Sequence, residues 1–284
     1  MRHPAADGNS ERVAGKVPVL MYHSIGAGAG RGFRRFVVDP GEFAAQMGYL
    51  ATEGYCPVTA ADLVGCRSSG RPLPPRPVVL TFDDAYTDFY SAALPVLREH
   101  GFRATLFVPT AYVGSIARWD KSLREENRGI LSWHALRDIA AEGVEVAAHS
   151  HTHAQLDRLC PAVIRDEVSR SRRLTEDNLA VQVEGFAYPF GYWSRAVRAA
   201  VAIAGFSYAC AVGDLTTTPD DDVLTLPRLT VNAGIGVPGL ARMLQARPTA
   251  GARRAAAAKR LTWRAMRRAV PAVGGDPQEG WRTT

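Results

Sequence analysis

Two short clusters of polar residues have the types and spacing that metal-assisted hydrolysis requires. Asp83 and Asp84 directly follow the apolar run VVLTF, and three of the seven histidines in the chain occur within HSHTH, residues 149–153. Imidazole nitrogens and carboxylate oxygens together bind zinc, iron, nickel or cobalt in catalytic sites that keep one coordination position open. An ion held this way lowers the pKa of a water molecule and polarises a carbonyl group, and a nearby carboxylate can take the proton. The two clusters therefore predict hydrolysis of an amide or an ester.

Each cluster also has an interpretation without chemistry. Asp83 or Asp84 could cap the next helix by accepting hydrogen bonds from its first N–H groups, and the histidines could form a polar surface loop. An isolated buried charge is costly, however, so two carboxylates at the end of an apolar strand need compensating partners. Neighbouring side chains of an extended backbone point to opposite sides, so one carboxylate can bind a cation while the other faces the substrate. Taken together, the two clusters favour a metal site.

Both clusters follow predicted strands in a chain that alternates strands with helices. Apolar runs predict strands at 17–23, 78–82, 103–109, 144–150, 206–212 and 223–231, and residues 184–191 predict a strand that runs into a Pro-Gly turn. Helical patterns with start and stop signals occur at 39–55, 90–100, 132–143, 161–180 and 194–205. Such alternation predicts an α/β fold whose strands gather into a mostly parallel sheet or barrel. Chemistry in these folds lies at the carboxyl ends of the strands, which is where both polar clusters fall.

On these residues the chain resembles the polysaccharide deacetylases, the NodB-homology carbohydrate esterases of family 4. TFDD at 81–84 looks like the first motif of that family and HSHTH like the second, H-[S/T]-x-x-H, and the resemblance covers most of residues 17–231. It implies a distorted (β/α) barrel of the polysaccharide deacetylase type, with Asp83 as the general base. The metal ligands that it implies are Asp84, His149 and His153.

The resemblance also implies residues that support the site. Ser150 would stabilise the histidine loop by a hydrogen bond, whereas His151 would not be a ligand. FAYPFG looks like the third motif, whose usual form is R-x-P-[YF], but Ala187 stands where the family has an arginine that orients the base. Arg228, in LPRLTV, could supply a guanidinium to Asp83 from a later strand. A surface arginine at the start of that strand is the alternative.

Aromatic residues in and after FAYPFG would form the substrate wall. Tyr188, Pro189 and Phe190 would line the acetyl pocket, although aromatic core packing explains the same residues. Trp193 directly follows this turn and is the preferred candidate for stacking on a sugar ring. Trp119 is a further candidate for such stacking.

The final family motif, an apolar strand ending in L-x-H, is missing from its usual place because no histidine follows His153. VLMYH at 19–23 has this form, with Leu20 followed by His23. We infer a circularly permuted branch of the family, in which the last strand has moved to the front. His23 would then be the general acid that protonates the leaving amine, and a structural histidine at a strand end is the alternative. The tryptophan-bearing fourth motif is not evident, and Asp214, in its approximate region, stays unassigned.

The activity implied by the resemblance is metal-dependent removal of N-acetyl groups from an amino sugar, polysaccharide or glycoconjugate, with release of acetate. Zn²⁺ is the expected ion, and Co²⁺, Ni²⁺ or Fe²⁺ would suit the same donors. Two alternatives stay open: an O-acetyl esterase acting on an acetylated saccharide, and a non-catalytic sugar-binding relative, which Ala187 favours. The intact Asp and His motifs argue against the binding module, because such a module has no need of a whole metal site.

Charge is unevenly distributed along the chain. The 284 residues have a net charge of +6, but residues 247–284 hold nine Arg or Lys and two Asp or Glu, a net charge of +7, which leaves the rest at −1. We therefore expect an N-terminal extension (1–16), a catalytic domain (17–246) and a basic tail (247–284). Nucleic-acid binding is not expected, because its basic surface would belong to the domain itself.

The chain has no segment that predicts secretion or membrane insertion. No apolar run approaches the roughly 20 residues that span a bilayer, and residues 1–16 are polar, unlike a secretory signal. A cytoplasmic enzyme with free cysteine thiols is therefore expected. The tail, with eight basic residues in 247–268 beside Leu261, Trp263 and Met266, could lie weakly on an anionic membrane at the inner face. A solvated tail is the alternative, and nothing in the sequence indicates the oligomeric state.

Overall fold

The chain forms two compact units, Met1–Arg247 and Pro248–Thr284. A computed structural model describes residues 15–28, 32–119, 128–246 and 249–269. The second unit contains helix α8 (Ala250–Ala269), on which Leu261 is largely exposed. None of the helices in these ranges is long and apolar enough to cross a membrane.

A parallel sheet is the framework of the first unit. The strands in the described ranges are β1 (Val19–Tyr22), β2 (Ser24–Ile25), β3 (Val37–Val38), β4 (Cys56–Val58), β5 (Pro77–Phe82), β6 (Thr105–Val108), β7 (Glu145–Ala148), β8 (Gly185–Ala187), β9 (Tyr208–Cys210) and β10 (Leu229–Thr230). The main sheet has the order β10-β1-β5-β6-β7-β8-β9, and β4 pairs with the start of β5. Every pair in it is parallel, so the carboxyl ends of the strands lie along one edge.

Helices connect these strands, and polar caps begin several of them. The helices described in the first unit are α1 (Pro40–Thr52), α2 (Ala60–Ser69), α3 (Leu94–Glu99), α4 (Trp133–Ala141), α5 (Pro161–Leu179), α6 (Arg195–Ile203) and α7 (Gly236–Gln245). Asp39, Ser132 and Ser194 accept hydrogen bonds from backbone N–H groups in the first turns of α1, α4 and α6. These caps satisfy donors that have no partner inside the helix, which explains why the helices begin there.

Alternate residues of the central strands pack on opposite faces of the sheet. Leu80 and Phe82 of β5 belong to an outer cluster with side chains of α1, α3, α4 and α7, whereas Val79 belongs to an inner cluster with Phe107 and Tyr208. The sheet thus curls into a half-barrel with helices outside it, and the predicted distorted (β/α) barrel is confirmed. The same alternation directs the side chain that follows β5 at position 83 toward the inside.

The strand predicted at 223–231 is wrong over most of its length. Val223–Thr225 form a 3₁₀ turn that Asp222 caps by accepting a hydrogen bond from the Leu224 N–H. Pro227 has no N–H to donate to a strand ladder, and regular pairing with β1 is confined to β10. The short elements β2, β3 and β4 and the helices α2 and α7 were not predicted.

Candidate active site

Three buried side chains converge on one point at the carboxyl edge of the sheet. The Nε2 atoms of His149 and His153 lie 3.4 Å and 3.2 Å from the same carboxylate oxygen, Asp84 Oδ1. One ligand atom from each residue lies within 4.8 Å of the others. Asp84 Oδ1 is buried and has no hydrogen bond of suitable geometry from any described residue. A buried carboxylate oxygen facing two imidazole nitrogens fits a divalent metal ion, which would supply the missing partner.

The backbone is strained where these side chains meet. Asp84 has φ = 73° and His153 has φ = 56°, and Phe190, beside them, has φ = 58°. Positive φ is uncommon outside glycine, although Asp and His tolerate it better than most residues. Each such residue costs about 1–3 kcal/mol, and this cost is found most often at functional sites. The backbone conformation that directs these three side chains therefore lowers the stability of the folded chain.

A backbone carbonyl orients His149, the first of the two histidines predicted as metal ligands. His149 Nδ1 donates to the carbonyl oxygen of Ala187 at 2.9 Å, because a carbonyl can only accept. This bond leaves Nε2 free toward Asp84, the arrangement usual for metal-ligating histidines. Burial would lower the pKa of His149, but the carboxylates of Asp83 and Asp84 outweigh it and raise that pKa. Ala187, which lacks the family's arginine side chain, thus contributes its main chain to the site.

A fully buried arginine holds Asp83. Arg228 Nη1 donates to Asp83 Oδ1 at 2.6 Å and Nη2 donates to Oδ2 at 2.7 Å. Nη1 also donates to Thr81 Oγ1, and Nε donates to the Ala211 carbonyl. Burial would raise the pKa of Asp83, but the Arg228 guanidinium, followed by His149, outweighs burial and lowers it. Asp83 is therefore ionised at neutral pH and held in one orientation, 4.0 Å from His149 Nε2.

His23 enters the same pocket from the neighbouring strand. It directly follows β1, which pairs with β5 and so ends beside Asp83. Its ring lies against Phe36, with ring centroids 4.6 Å apart. Its Nδ1 atom is buried without a hydrogen-bond partner in the described part of the chain. Burial lowers the pKa of His23, although Asp84 and Asp83 partly oppose that effect.

A cavity of about 250 Å³ opens over these groups. Its aromatic lining comes from Phe33, Phe36, Trp119 and Phe190, and its polar lining beyond the metal cluster includes Arg35, Asp214 and Asn232. Sites for drug-sized ligands usually occupy about 300–1,000 Å³, so this space suits a small group such as one sugar ring. Aromatic faces opposed to polar side chains are typical of carbohydrate recognition sites.

Comparison with known proteins agrees with this geometry. A sequence profile described as polysaccharide deacetylase matches residues 70–209. The poly-β-1,6-N-acetyl-D-glucosamine N-deacetylase of Staphylococcus epidermidis is 24% identical over 233 residues, covering 79% of this chain and 78% of that protein. A deacetylase of Streptococcus pyogenes, solved in complex with acetate, matches with a TM-score of 0.73 over 82% of this chain and 100% of that chain, at 21% identity. The chain belongs to the polysaccharide deacetylase family.

Membership of the polysaccharide deacetylase family identifies the class of reaction. A chitooligosaccharide deacetylase of Bradyrhizobium is also 34% identical over 134 residues, covering 46% of this chain and 54% of that protein. The chain is thus a carbohydrate deacetylase, a hydrolase of carbon–nitrogen bonds other than peptide bonds. The matched range 70–209 contains TFDD, HSHTH and FAYPFG but neither His23 nor Arg228. The circular permutation and the roles of these two residues therefore stay predictions.

The residues predicted for the substrate wall do not all line the cavity. Phe190 lines the cavity, but Tyr188 is fully buried and donates its hydroxyl to the Leu224 carbonyl at 2.8 Å. Trp193 packs against Tyr188, and Pro189 is buried in the same turn. Of this predicted wall, Phe190 is the residue that faces the cavity. The other three do not line the cavity, because Tyr188 and Pro189 are buried in the core and Trp193 is partly buried against it.

The predicted hydrogen bond of Ser150 is not formed. Its Oγ atom is buried without a partner among the residues that the structure describes. The histidine loop is held instead by Glu167 of α5, which accepts hydrogen bonds from the backbone N–H groups of His151 and Thr152 and from the Thr152 hydroxyl. His151 pairs through Nδ1 with Thr110 Oγ1, outside the metal cluster, as expected of a residue that is not a ligand.

Several residues of the site were missed in the sequence. Glu167 had a detectable signal, because it is a carboxylate on the face that α5 buries, between the apolar residues Ile164 and Val168. Phe33 and Phe36 had none, since they follow a glycine-rich stretch that predicts only a loop. Trp119 was not missed: it was a candidate for stacking on a sugar ring, and it lines the cavity beside His153.

Proposed function

We propose that this protein is a metal-dependent N-deacetylase of saccharides, with Asp83 as general base, His23 as general acid and Asp84, His149 and His153 as metal ligands. One observation carries the proposal: a buried, ionised carboxylate, Asp83, is held by a guanidinium directly beside a convergent Asp–His–His cluster. An ion pair with a purely structural role would not need a second buried carboxylate oxygen beside it that lacks a hydrogen-bond partner, as Asp84 Oδ1 does. Taken together, these groups match the requirements of amide hydrolysis.

The metal would be held by two imidazole nitrogens and one carboxylate oxygen. A divalent ion there supplies a Lewis acid for the acetyl carbonyl and lowers the pKa of a water molecule. Zn²⁺ is the ion we propose, because mixed nitrogen and oxygen donors with open positions suit it, and Co²⁺, Ni²⁺ and Fe²⁺ are the competing ions.

Asp83 and His23 would divide the proton transfers between them. Asp83 is ionised and takes a proton from the attacking water as the carbon–oxygen bond forms. His23 must carry a proton when the carbon–nitrogen bond breaks, so that the amine leaves neutral. The two carboxylates near His23 favour its protonated form against the effect of burial. Arg228 does not transfer a proton; it fixes the Asp83 carboxylate and keeps it ionised.

The substrate we propose is a saccharide carrying N-acetylglucosamine. The two relatives named above act, by their names, on poly-β-1,6-N-acetyl-D-glucosamine and on chitooligosaccharides. The cavity has room for about one sugar ring, with Trp119 and Phe190 beside the metal cluster and Phe33 and Phe36 near His23. Arg35, Asp214 and Asn232 would bind the hydroxyl groups of that ring.

Acetate release from N-acetylglucosamine oligomers tests the proposal. The metal-stripped protein should be inactive, and Zn²⁺, Co²⁺ or Ni²⁺ should restore release. Asp83→Asn should abolish turnover, by a factor of roughly 10²–10⁴ or more, while the metal stays bound. His23→Asn should lower kcat with unchanged metal content, since His23 is no ligand.

Three results would change or contradict the proposal. Stoichiometric metal without acetate release from these oligomers, but with release from O-acetylated saccharides, would make the protein an esterase. A native protein that binds sugar but no metal would be a non-catalytic relative. Substantial activity in Asp83→Asn would remove Asp83 from the role of base.

A further inference from the structure

The two histidine ligands are held in different ways. His149 donates from Nδ1 to the Ala187 carbonyl, which fixes both its tautomer and its ring plane. His153 is equally buried, but its Nδ1 has no hydrogen-bond partner among the described residues. Metal-ligating histidines almost always have such a partner. Something else must therefore hold the His153 ring, which already lies on strained backbone at φ = 56°.

Aromatic rings flank His153 in place of that hydrogen bond. The ring of Trp119 lies over it, with centroids 4.6 Å apart and planes inclined by 35°. Phe190 meets the same imidazole edge to face at 4.7 Å. Trp119 is itself packed against Tyr112 and Tyr86, at 5.0 Å and 6.2 Å between centroids. His153 thus lies between an indole face and a phenyl ring, and neighbouring rings support the indole.

We propose that Trp119 is a positioning residue for the metal centre, which it serves by stacking on the imidazole of His153. The inference deepens the proposed function, because it assumes that the Asp84–His149–His153 cluster binds a cation. An imidazole that ligates a divalent ion carries positive charge, and an indole face attracts positive charge more strongly than a phenyl ring does. The stack therefore favours the ligating form of His153 and fixes the direction of Nε2. Trp119 does this without touching the ion.

Metal affinity of graded variants tests this role without any measurement of turnover. The metal-stripped wild type, Trp119→Phe and Trp119→Leu would be titrated with Zn²⁺ against a chelating dye. We expect the dissociation constant to rise about 10-fold or more in Trp119→Leu, the effect usual for losing a partner of a ligating histidine. Trp119→Phe should show a smaller rise, because an aromatic ring remains but a phenyl face attracts positive charge less strongly than an indole face. Absorption bands of bound Co²⁺ should change in the same order.

Phe36→Leu is the matched control. Phe36 lines the same cavity, but its ring lies against His23 rather than His153. This variant should keep the wild-type affinity for Zn²⁺, even if it impairs binding of the saccharide. Circular dichroism of each metal-stripped variant would verify folding, and Trp119→Phe preserves the bulk of the site if Trp119→Leu does not fold.

The possible failures are distinguishable. Unchanged Zn²⁺ affinity in both folded Trp119 variants would overturn the positioning role and leave the proposed function intact. An equal loss in Phe36→Leu would also overturn it, since the effect would then be a general one of cavity lining. A wild type that binds no Zn²⁺, Co²⁺ or Ni²⁺ would overturn the proposed function and this inference together.

Discussion

At the scale of single residues, the site depends on how one carboxylate is kept charged inside the protein. Asp83 is nearly fully buried, and Arg228, which is itself 0% exposed, donates a hydrogen bond to each of its two oxygens. Breaking a buried pair by removing one partner costs about 3–5 kcal/mol, because the remaining charge is left without compensation. Position 187 is an alanine and has no guanidinium to offer Asp83, so Arg228 provides one instead. The residue that directly precedes β10, and not one of β8, thus supplies the positive charge.

Arg228→Lys should move the acid limb of the pH–rate profile. Lysine keeps the charge but loses the two parallel hydrogen bonds. Arg228 lowers the pKa of Asp83 against the effect of burial, so this pKa should rise in the variant. As pH falls, the base of the variant would then be protonated earlier, and kcat/KM should begin to fall at a higher pH than in the wild type. At neutral pH we expect kcat/KM to be about 10–100-fold lower.

Arg198→Lys is the control for this experiment. Arg198 also meets both oxygens of one carboxylate, that of Asp222, but at the surface. Exposed pairs contribute little, so this variant should match the wild-type profile. An acid limb that does not move in Arg228→Lys would show that Asp83 does not set it.

At the scale of elements, the histidine loop is fastened to a helix. Residues 149–153 connect the end of β7 to the segment before α5, and Glu167 of α5 accepts three hydrogen bonds from the loop. A carboxylate accepts but does not donate, which matches two backbone N–H groups and a hydroxyl. Because both histidines proposed as metal ligands belong to this loop, the position of α5 influences where their side chains lie.

Glu167→Gln should loosen the loop and weaken metal binding. The amide replaces one accepting oxygen by an NH₂ group, so either the two N–H groups that share Oε2 or the Thr152 hydroxyl, which donates to Oε1, lose their acceptor. The free energy of unfolding should fall by about 1–3 kcal/mol, measured by urea denaturation of the metal-stripped protein. Zn²⁺ affinity should fall as well. Asp166→Asn, at an exposed position on the same helix, should change neither quantity, and equal effects in both variants would contradict the role of Glu167.

The elements also mark how far the sequence could predict this site. Apolar runs and helix caps predicted most strands and helices, because these signals are local. Asp83, Asp84 and the histidines could be found because motifs place them at strand ends. The stack of Trp119 on His153 could not be predicted, since 34 positions separate residues whose contact depends on the packing of loops. Tyr188 was misplaced because sequence does not reveal which way a turn directs an aromatic side chain.

At the scale of the whole molecule, charge and catalysis lie in different parts of the chain. The site residues all belong to the unit Met1–Arg247, while the excess positive charge lies in residues 247–284. The membrane-surface contact expected of this tail stays a prediction. Basic helices with some apolar side chains bind anionic lipid surfaces with an affinity that falls with salt, and α8 has this composition.

Deletion of residues 248–284 should separate the two properties. The shortened protein should release acetate from short soluble oligomers at the wild-type rate, since no site residue is removed. Its sedimentation with phosphatidylserine vesicles should be lost, whereas neutral phosphatidylcholine vesicles should bind neither form. Vesicle binding that is unchanged by the deletion, or absent in the full chain, would mean that the tail is simply solvated.

The order of strands in the sheet has a consequence for the making of this enzyme. β1 lies between β5 and β10, so the site joins a histidine from the beginning of the chain to an arginine 145 residues beyond Asp83. A ribosome adding about 5–20 residues per second would need roughly 7–30 seconds to pass from one partner of that pair to the other. Throughout that interval the Asp83 carboxylate of the nascent chain lacks its guanidinium partner. The contact between Arg228 and Asp83 can therefore form only when almost the whole catalytic unit has been synthesised.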